Sequence, residues 1–471
     1  MIPKIEFISH LKPNTSAAII FSDFSVVKSF PEVNSDYLAE KLKDKQEWTF
    51  YKQPEIYFFH KVDEKKEDWQ QMESAREAGA KFFEILKSEK ITSLQIVGKL
   101  EKSVTLSFLE GLLLSAYSFS KYKKVKEDFA LSKIFFLDKQ IAETELDELK
   151  NVVEAVFLAR NLVNEPLSYL TAVQFSKEME EMGKKAGFSV EVLNRKRIEA
   201  LAMGGLLAVN KGSIDPPTFT IMEWKPENHV NLQPVVLVGK GVVFDTGGLS
   251  LKPTAKSMEY MKCDMGGGAV VAATLYAVAK NNLPLHLVGL VPATDNRPDG
   301  NAYVPGDVIT MFDGTTVEIK NTDAEGRLLL ADALAYAKKH NPMLVIDVAT
   351  LTGSAEIIAG SQAIVAMGNN SAYLKQMKQT GQQVYERIIE IPLWDEYAKP
   401  LKSSIADLNN LGTREAQTSI AGKFLEHFTD YPWLHLDIAG VAFLQEKSHY
   451  RPAGGTGYGT RLLYHFLKAF N

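Results

Sequence analysis

The stretch PVVLVGKGVVFDTGGLSLK, Pro234–Lys252, reads as an apolar strand, Val235–Val238, that runs into Lys240 and then turns at Gly247-Gly248. A helix is expected next over Gly267–Lys280, followed by a second strand over Leu285–Val291. Short apolar runs without polar alternation suit strands covered on both faces. Further runs at Phe219–Trp224, Leu344–Val348, Ile364–Met367 and Leu434–Ile438 alternate with helical spacing over Gly326–His340, Ala372–Ile389, Ser419–Phe428 and Thr460–Phe470. The alternation predicts a mixed, mostly parallel sheet flanked by helices, with its site at the carboxyl ends of the strands.

Upstream, the texture changes. Only Gly79, Gly98 and Gly111 fall within the first 150 residues, although the chain has 31 glycines. Short apolar runs at Ala17–Phe21, Ile56–Phe59, Ser93–Val97 and Ile134–Leu137 surround a helical stretch, Asp68–Lys87, so a smaller α/β domain is expected there. Helical spacing over Leu146–Asn164, stopped by Pro166, marks the boundary. The division is therefore 1–150 and 151–471.

At 471 residues the chain is long enough for more than one core. Its 45% hydrophobic, 24% charged and 10% aromatic content places it among globular proteins rather than disordered or fibrous ones. A formal charge of -5 argues against non-specific nucleic-acid binding. The single cysteine, Cys263, excludes an intrachain disulfide and a Cys-rich zinc site, and fits a reducing cytoplasm. The opening MIPKIEFISHLKPNTSAAIIF does not read as a signal peptide, and no run is long enough to span a membrane.

Charged residues cluster where the strands end. Lys240 sits inside an apolar run, so it must be paired, neutralised or bound to a metal as the free amine. Asp245 precedes the glycine turn, Asp264 precedes the Gly267 helix, and Asp323 and Glu325 precede Arg327 in NTDAEGRLLL. Singly, each acid is explained as a turn residue or a helix-terminal carboxylate. Together the four supply the charge that balances two divalent cations, and their hard oxygens suit zinc, manganese or magnesium. Such a pair can bridge and activate a water for amide hydrolysis, while Lys252 and Arg327 remain to stabilise oxyanion charge.

VGKGVVFDTGGLSLK, MKCDMGG and NTDAEGRLLLADAL resemble the signature blocks of the leucyl (cytosol) aminopeptidase family. Weaker likeness in LARNLVNEPLSYLT, DVATLTG and GTGYGTRLL extends it over roughly residues 150 to 471. The resemblance implies a small N-terminal α/β domain on a larger catalytic one, a homohexamer, and release of N-terminal residues from peptide substrates, with leucine or another apolar residue preferred. It implies that Lys240, Asp245, Asp264 and Glu325 hold one of two zinc or manganese ions and Asp245, Asp323 and Glu325 the other. Lys252 then polarises the scissile carbonyl, Arg327 holds a bicarbonate that serves as general base, and Met261, Thr350 and Gly353 shape the side-chain pocket. KPTAKSMEYMKCD, from Lys252 to Asp264, is one residue longer than the usual family spacing, which predicts a bulged loop.

Two rival readings are a two-metal phosphoesterase and a non-catalytic nucleic-acid-binding relative. The missing phosphate-type histidines weigh against the first, and the near-neutral charge of residues 1–150 against the second. None of the nine histidines forms a His-Glu-x-x-His pair, His427 and His435 read as core or surface residues, Gly455-x-Gly457-x-Gly459 reads as a tight turn, and Cys263 as a packed small residue.

Overall fold

The computed structural model describes residues 2–25, 30, 33–98, 101–125, 129–138 and 140–470. The chain forms two compact units: Met1–Glu154 with Glu446–Pro452, and Ala155–Gln445 with Ala453–Asn471.

The first unit carries strands β1 (Lys4–Phe7), β2 (Ala17–Phe21), β3 (Glu47–Lys52), β4 (Glu55–Lys61), β5 (Ser93–Gly98) and β6 (Lys133–Leu137), in the sheet order β1-β6-β5-β2-β4-β3. All neighbours are parallel except β3 and β4. Helices α1 (Ser35–Lys41), α2 (Asp68–Ser88) and α3 (Lys102–Ser115) connect them, and α4 (Glu143–Asn164) carries the chain onward. Wholly buried β2, AAIIF, needs cover on both faces, which explains its unbroken apolar run.

The second unit is built on a nine-stranded sheet. Its strands are β7 (Ser189–Leu193), β8 (Thr218–Trp224), β9 (Val235–Gly239), β10 (Gly241–Asp245) and β11 (Leu287–Asn296), then β14 (Leu344–Ala349), β15 (Ile364–Gly368), β16 (Ile388–Glu390) and β18 (Trp433–Asp437). The order is β16-β15-β18-β14-β9-β11-β8-β7, with β10 also paired to β11. The core pairs β18-β14-β9-β11 are parallel and the β15, β8 and β7 joints antiparallel, giving the mixed, mostly parallel sheet that the sequence predicts. Short strands β12 (Val308–Thr310), β13 (Thr316–Glu318) and β17 (Leu408–Asn409) form one small sheet, and β19 (Phe443–Leu444) with β20 (Gly454–Gly455) another.

Helices cover both faces. They are α5 (Ala172–Ala186), α6 (Arg195–Ala200), α7 (Gly204–Asn210), α8 (Gly266–Lys280), α9 (Gly326–Ala337), α10 (Gly353–Ala359), α11 (Ser371–Val384), α12 (Gln417–Glu426) and α13 (Thr460–Lys468). The apolar face of α9 packs with Val236, Val238, Val288, Leu290 and Val345 of the sheet, each fully buried. Every such side chain contributes about 1.5–3 kcal/mol relative to exposure.

Two expectations shift. The helix expected over Ala372–Ile389 stops at Val384, because Tyr385 takes a left-handed φ of 55°, and Ile388–Glu390 becomes a strand. The strand expected over Leu285–Val291 runs on through Pro292 to Asn296, with all ten residues from Leu287 buried. That extension sets Asn296 beside Asp245 at the carboxyl end of the sheet.

Candidate active site

Lys240 follows β9, Asp245 ends β10, Asn296 ends β11, Thr350 follows β14 and Asp437 ends β18. Parallel pairing thus delivers polar side chains from separate parts of the chain to one edge of the sheet, where open α/β sheets bind ligands.

The structure brings together Lys240, Asp245, Lys252, Asp264, Asp323 and Glu325. The Lys240 ammonium lies 2.9 and 2.8 Å from the two Asp264 oxygens and 2.8 Å from Glu325 Oε1, and donates to Thr350 O at 3.0 Å. Lys252 Nζ lies 2.9 Å from Asp245 Oδ2 and 2.5 Å from Asp323 Oδ1. One oxygen each of Asp245, Asp323 and Glu325 falls within 4.8 Å of the others. The loop between Lys252 and Asp264 holds Lys256 at φ 58° and then winds a 3-10 turn, Met258–Cys263, that leaves Asp264 beside Lys240.

Local backbone makes the crowding possible. Gly247 has φ 86°, and a Cβ there would stand 2.8 Å from Asp323 Oδ1 and 2.5 Å from Ser250 O. At Gly326, the first residue of α9, a Cβ would meet Lys240 Cε at 2.5 Å.

Four carboxylates share two ammonium groups, and burial first, then the neighbouring charges, sets their ionisation. Burial, then the charge of Glu325, lifts Asp245 above the usual carboxylate range. Burial lifts Asp264 well above it, despite Lys240. Burial together with the charges of Asp245 and Glu325 pushes Asp323 up to about 7. Glu325 moves the other way: burial opposes its charge, but Lys240 and Lys252 outweigh burial and hold it low. Burial likewise opposes both lysine charges, and the surrounding carboxylates raise both above the ordinary lysine value.

The buried Glu325 Oε2 has no hydrogen-bond partner among the described residues, and Asp264 Oδ2 and Asp323 Oδ1 meet only ammonium groups. A buried anionic oxygen without a partner is costly. Hard oxygen donors with surplus negative charge fit divalent cations.

The remaining expected residues are placed differently. Arg327 is buried on α9 and makes no ion pair within 4.0 Å among the described residues, its guanidinium lying 5.9 Å from the Phe424 ring. Burial holds its pKa down to about 10, against the charges of Glu325 and Asp437. Thr350 joins the cluster by donating to Asp264 Oδ1 at 2.8 Å. Met261 is half-buried on the 3-10 turn, and Gly353 is exposed at the start of α10, with open space where a side chain would go. Cys263 is buried and its thiol is pushed up to about 12 by burial, which leaves it protonated.

Sequence reasoning missed Asn296, Thr322 and Asp437. Asn296 Nδ2 donates to Asp245 Oδ1 at 2.8 Å and to Thr322 O at 3.0 Å. Thr322 Oγ1 donates to Gly247 O at 2.6 Å and accepts from Ser250 N at 2.8 Å. Asp437 accepts from Leu351 N, Thr352 N and Ala439 N, each at 3.1 Å, and from Thr352 Oγ1 at 2.8 Å. The loop that presents Thr350 to Lys240 and Asp264 is held this way. For Asn296 and Asp437 the signal in the sequence was a polar residue closing a strand, and for Thr322, in the loop before α9, there was none.

Residues 157–464 match the description "Cytosol aminopeptidase family, catalytic domain". A probable cytosol aminopeptidase of Chlorobium phaeobacteroides is 46% identical over 387 residues, covering 79% of this chain and 76% of that protein. One from Geobacter sp. strain M21 is 40% identical over 406 residues, covering 84% and 82%. Among solved structures, the bottromycin maturation enzyme BotP in complex with Mn superimposes with a TM-score of 0.85 at 29% identity, covering 97% of this chain and 99% of that one. Among the described residues no helix is long and apolar enough to cross a membrane. The chain belongs to the cytosol aminopeptidase family and is a hydrolase of the aminopeptidase type.

Proposed function

We propose that this protein removes the N-terminal residue from peptides at a two-cation centre, preferring leucine or another apolar residue. The observation that carries the reading is the grouping of Asp245, Asp323 and Glu325 within 4.8 Å of one another, with Asp264 joined to Glu325 through Lys240 and with Glu325 Oε2 left without a hydrogen-bond partner among the described residues. Lys240, Asp245, Asp264 and Glu325 would hold one cation, and Asp245, Asp323 and Glu325 the other. Zinc and manganese suit these donors, and the likeness to BotP, solved with Mn, favours manganese. When bound, the cations supply Lewis acidity and lower the pKa of a water.

The chain's own groups do the rest. Lys240 and Lys252 now pair with the carboxylates of the cluster, so cation binding would displace their protons or their contacts. Lys240 would ligate as the free amine, losing its proton as metal enters. Lys252, freed from Asp245 and Asp323, would set its ammonium against the scissile carbonyl oxygen as negative charge develops there. The Arg327 guanidinium, buried without an ion pair among the described residues, fits a small anion such as bicarbonate that would accept the proton of the attacking water. Met261, Thr350 and Gly353 would line the side-chain pocket, the open space at Gly353 leaving room for an apolar residue.

Catalysis is assigned to the domain of residues 151–471 and not to the α/β domain of residues 1–150. Assembly as a homohexamer in the cytoplasm follows from the family likeness. The test joins elemental analysis to a panel of amino-acid anilides. Asp323→Ala and Glu325→Ala should abolish hydrolysis and lower metal content, with the leucine anilide among the best substrates of the parent. Full activity with unchanged metal in either variant would refute the reading.

A further inference from the structure

We propose that Asn296 is a positioning residue that fixes Asp245 and Asp323 for the cation they share. The inference rests on the two-cation reading above and adds a residue to it.

Asn296 is fully buried at the end of β11, opposite Asp245 in the strand register. Its Nδ2 faces two acceptors, Asp245 Oδ1 at 2.8 Å and Thr322 O at 3.0 Å. Only a group with two protons on one atom satisfies both, which assigns the amide nitrogen to that side. Gly247 N also donates to Asp245 Oδ1 at 2.8 Å. That oxygen is therefore occupied by two donors, and Oδ2, now 2.9 Å from Lys252, is the one turned toward the cluster.

The second bond reaches the other ligand-bearing segment. Thr322 directly precedes Asp323, and its carbonyl is held by Asn296 and by Tyr303 Oη at 2.7 Å. The Asn296 backbone carbonyl accepts from Thr246 N at 3.0 Å and from Thr246 Oγ1 at 2.8 Å, bracing the residue after Asp245. One carboxamide thus ties the β10 turn to the loop before α9. The cation assigned to Asp245, Asp323 and Glu325 draws on three side chains, of which Asn296 bonds Asp245 directly and holds the carbonyl of Thr322 that precedes Asp323. The other cation has Lys240 and Asp264 as well, and these are held by Thr350. Loss of Asn296 therefore weakens one cation far more than its neighbour, by the 10- to 100-fold, roughly, that removal of a group orienting a metal ligand produces.

The experiment titrates chelator-stripped full-length protein with Mn2+ alone by calorimetry. The parent should bind two equivalents. Asn296→Ala should bind the first as the parent does and the second about 10- to 100-fold more weakly, with kcat on a leucine anilide recovering at high Mn2+. Asn296→Ser, which keeps a polar group in the buried slot, should show the same loss and serves if the alanine variant does not fold. Tyr303→Phe removes the other donor to Thr322 O without touching Asp245, and should leave the second affinity within about twofold. The proposal is overturned if Asn296→Ala and Asn296→Ser leave both affinities unchanged or weaken both equally, or if Tyr303→Phe weakens the second as much. A parent protein that binds fewer than two Mn2+ overturns the two-cation reading itself, and this inference with it.

Discussion

A single methyl placed on Gly326 measures how rigidly Lys240 is held. The added Cβ would stand 2.5 Å from Lys240 Cε, 2.6 Å from Nζ and 2.8 Å from Cδ. The tip of a lysine ordinarily swings away from such an intrusion. Here the side chain is 3% exposed and its ammonium is fixed by Asp264, Glu325 and Thr350. If the lysine stays, overpacking costs about 1–3 kcal/mol. If it leaves, breaking a buried ion pair costs about 3–5 kcal/mol. Alanine returns about 0.5–1 kcal/mol over glycine in a helix. The net expectation for Gly326→Ala is a loss of about 1 kcal/mol, read from urea unfolding of the chelated protein. In a Lys240→Ala background the obstacle is gone, so the same methyl should be neutral or stabilising, giving a coupling of about 1 kcal/mol or more. Unchanged stability of Gly326→Ala alone, or an equal loss in both backgrounds, would refute the pinned-lysine argument.

His60, fully buried on β4, is held neutral down to about pH 4 by burial, with the charges of Lys66 and Lys81 adding to it. The unfolded chain takes up a proton near 6.5 that the folded chain refuses, so stability falls as pH drops from 6.5 toward 4, by about 3 kcal/mol in full. His60→Leu should lose less stability than the parent between pH 7 and pH 4.5 in urea melts, and parallel losses would contradict the assignment. Asp437→Ala leaves three backbone N–H groups and the Thr352 hydroxyl without their acceptor. It should cost about 3 kcal/mol or more and lower activity through Thr350, whereas Asp437→Asn, which keeps an acceptor, should cost less; thermal melts of the two check this, and an Asp437→Ala protein that melts with the parent would rule it out.

Much of the fold was legible because the decisive strands are largely apolar. Val235–Val238 is covered on both faces and shows no polar interruption, and Leu344–Val348 is broken only by Asp347, which the core satisfies through Trp433 and His435, so the alternation with helices follows. Lys240 stood out for the opposite reason, as a charge inside an apolar run whose partners, Asp264 and Glu325, come from elsewhere in the chain. What stayed hidden was polarity that the tertiary structure satisfies. The polar residues Thr294, Asp295 and Asn296 lie beyond the strand expected over Leu285–Val291, yet all three are buried in β11. Nothing local in the sequence announces that the Asn296 amide is matched by Asp245, 51 positions away. Asp437 was hidden likewise, since its donors at Leu351 and Thr352 lie 86 and 85 positions off. The overrun at Ile389 has a backbone cause: the left-handed Tyr385 ends the helix where no glycine or proline signals a stop.

The central claim is that Asp245, Asp264, Asp323 and Glu325 enclose a pair of cations, and anomalous diffraction from crystals soaked in Mn2+ tests it most directly. The account predicts two peaks roughly 3.5–4 Å apart, one bounded by Lys240, Asp245, Asp264 and Glu325 and the other by Asp245, Asp323 and Glu325. No peak among these residues, or manganese bound only elsewhere on the protein, would contradict it.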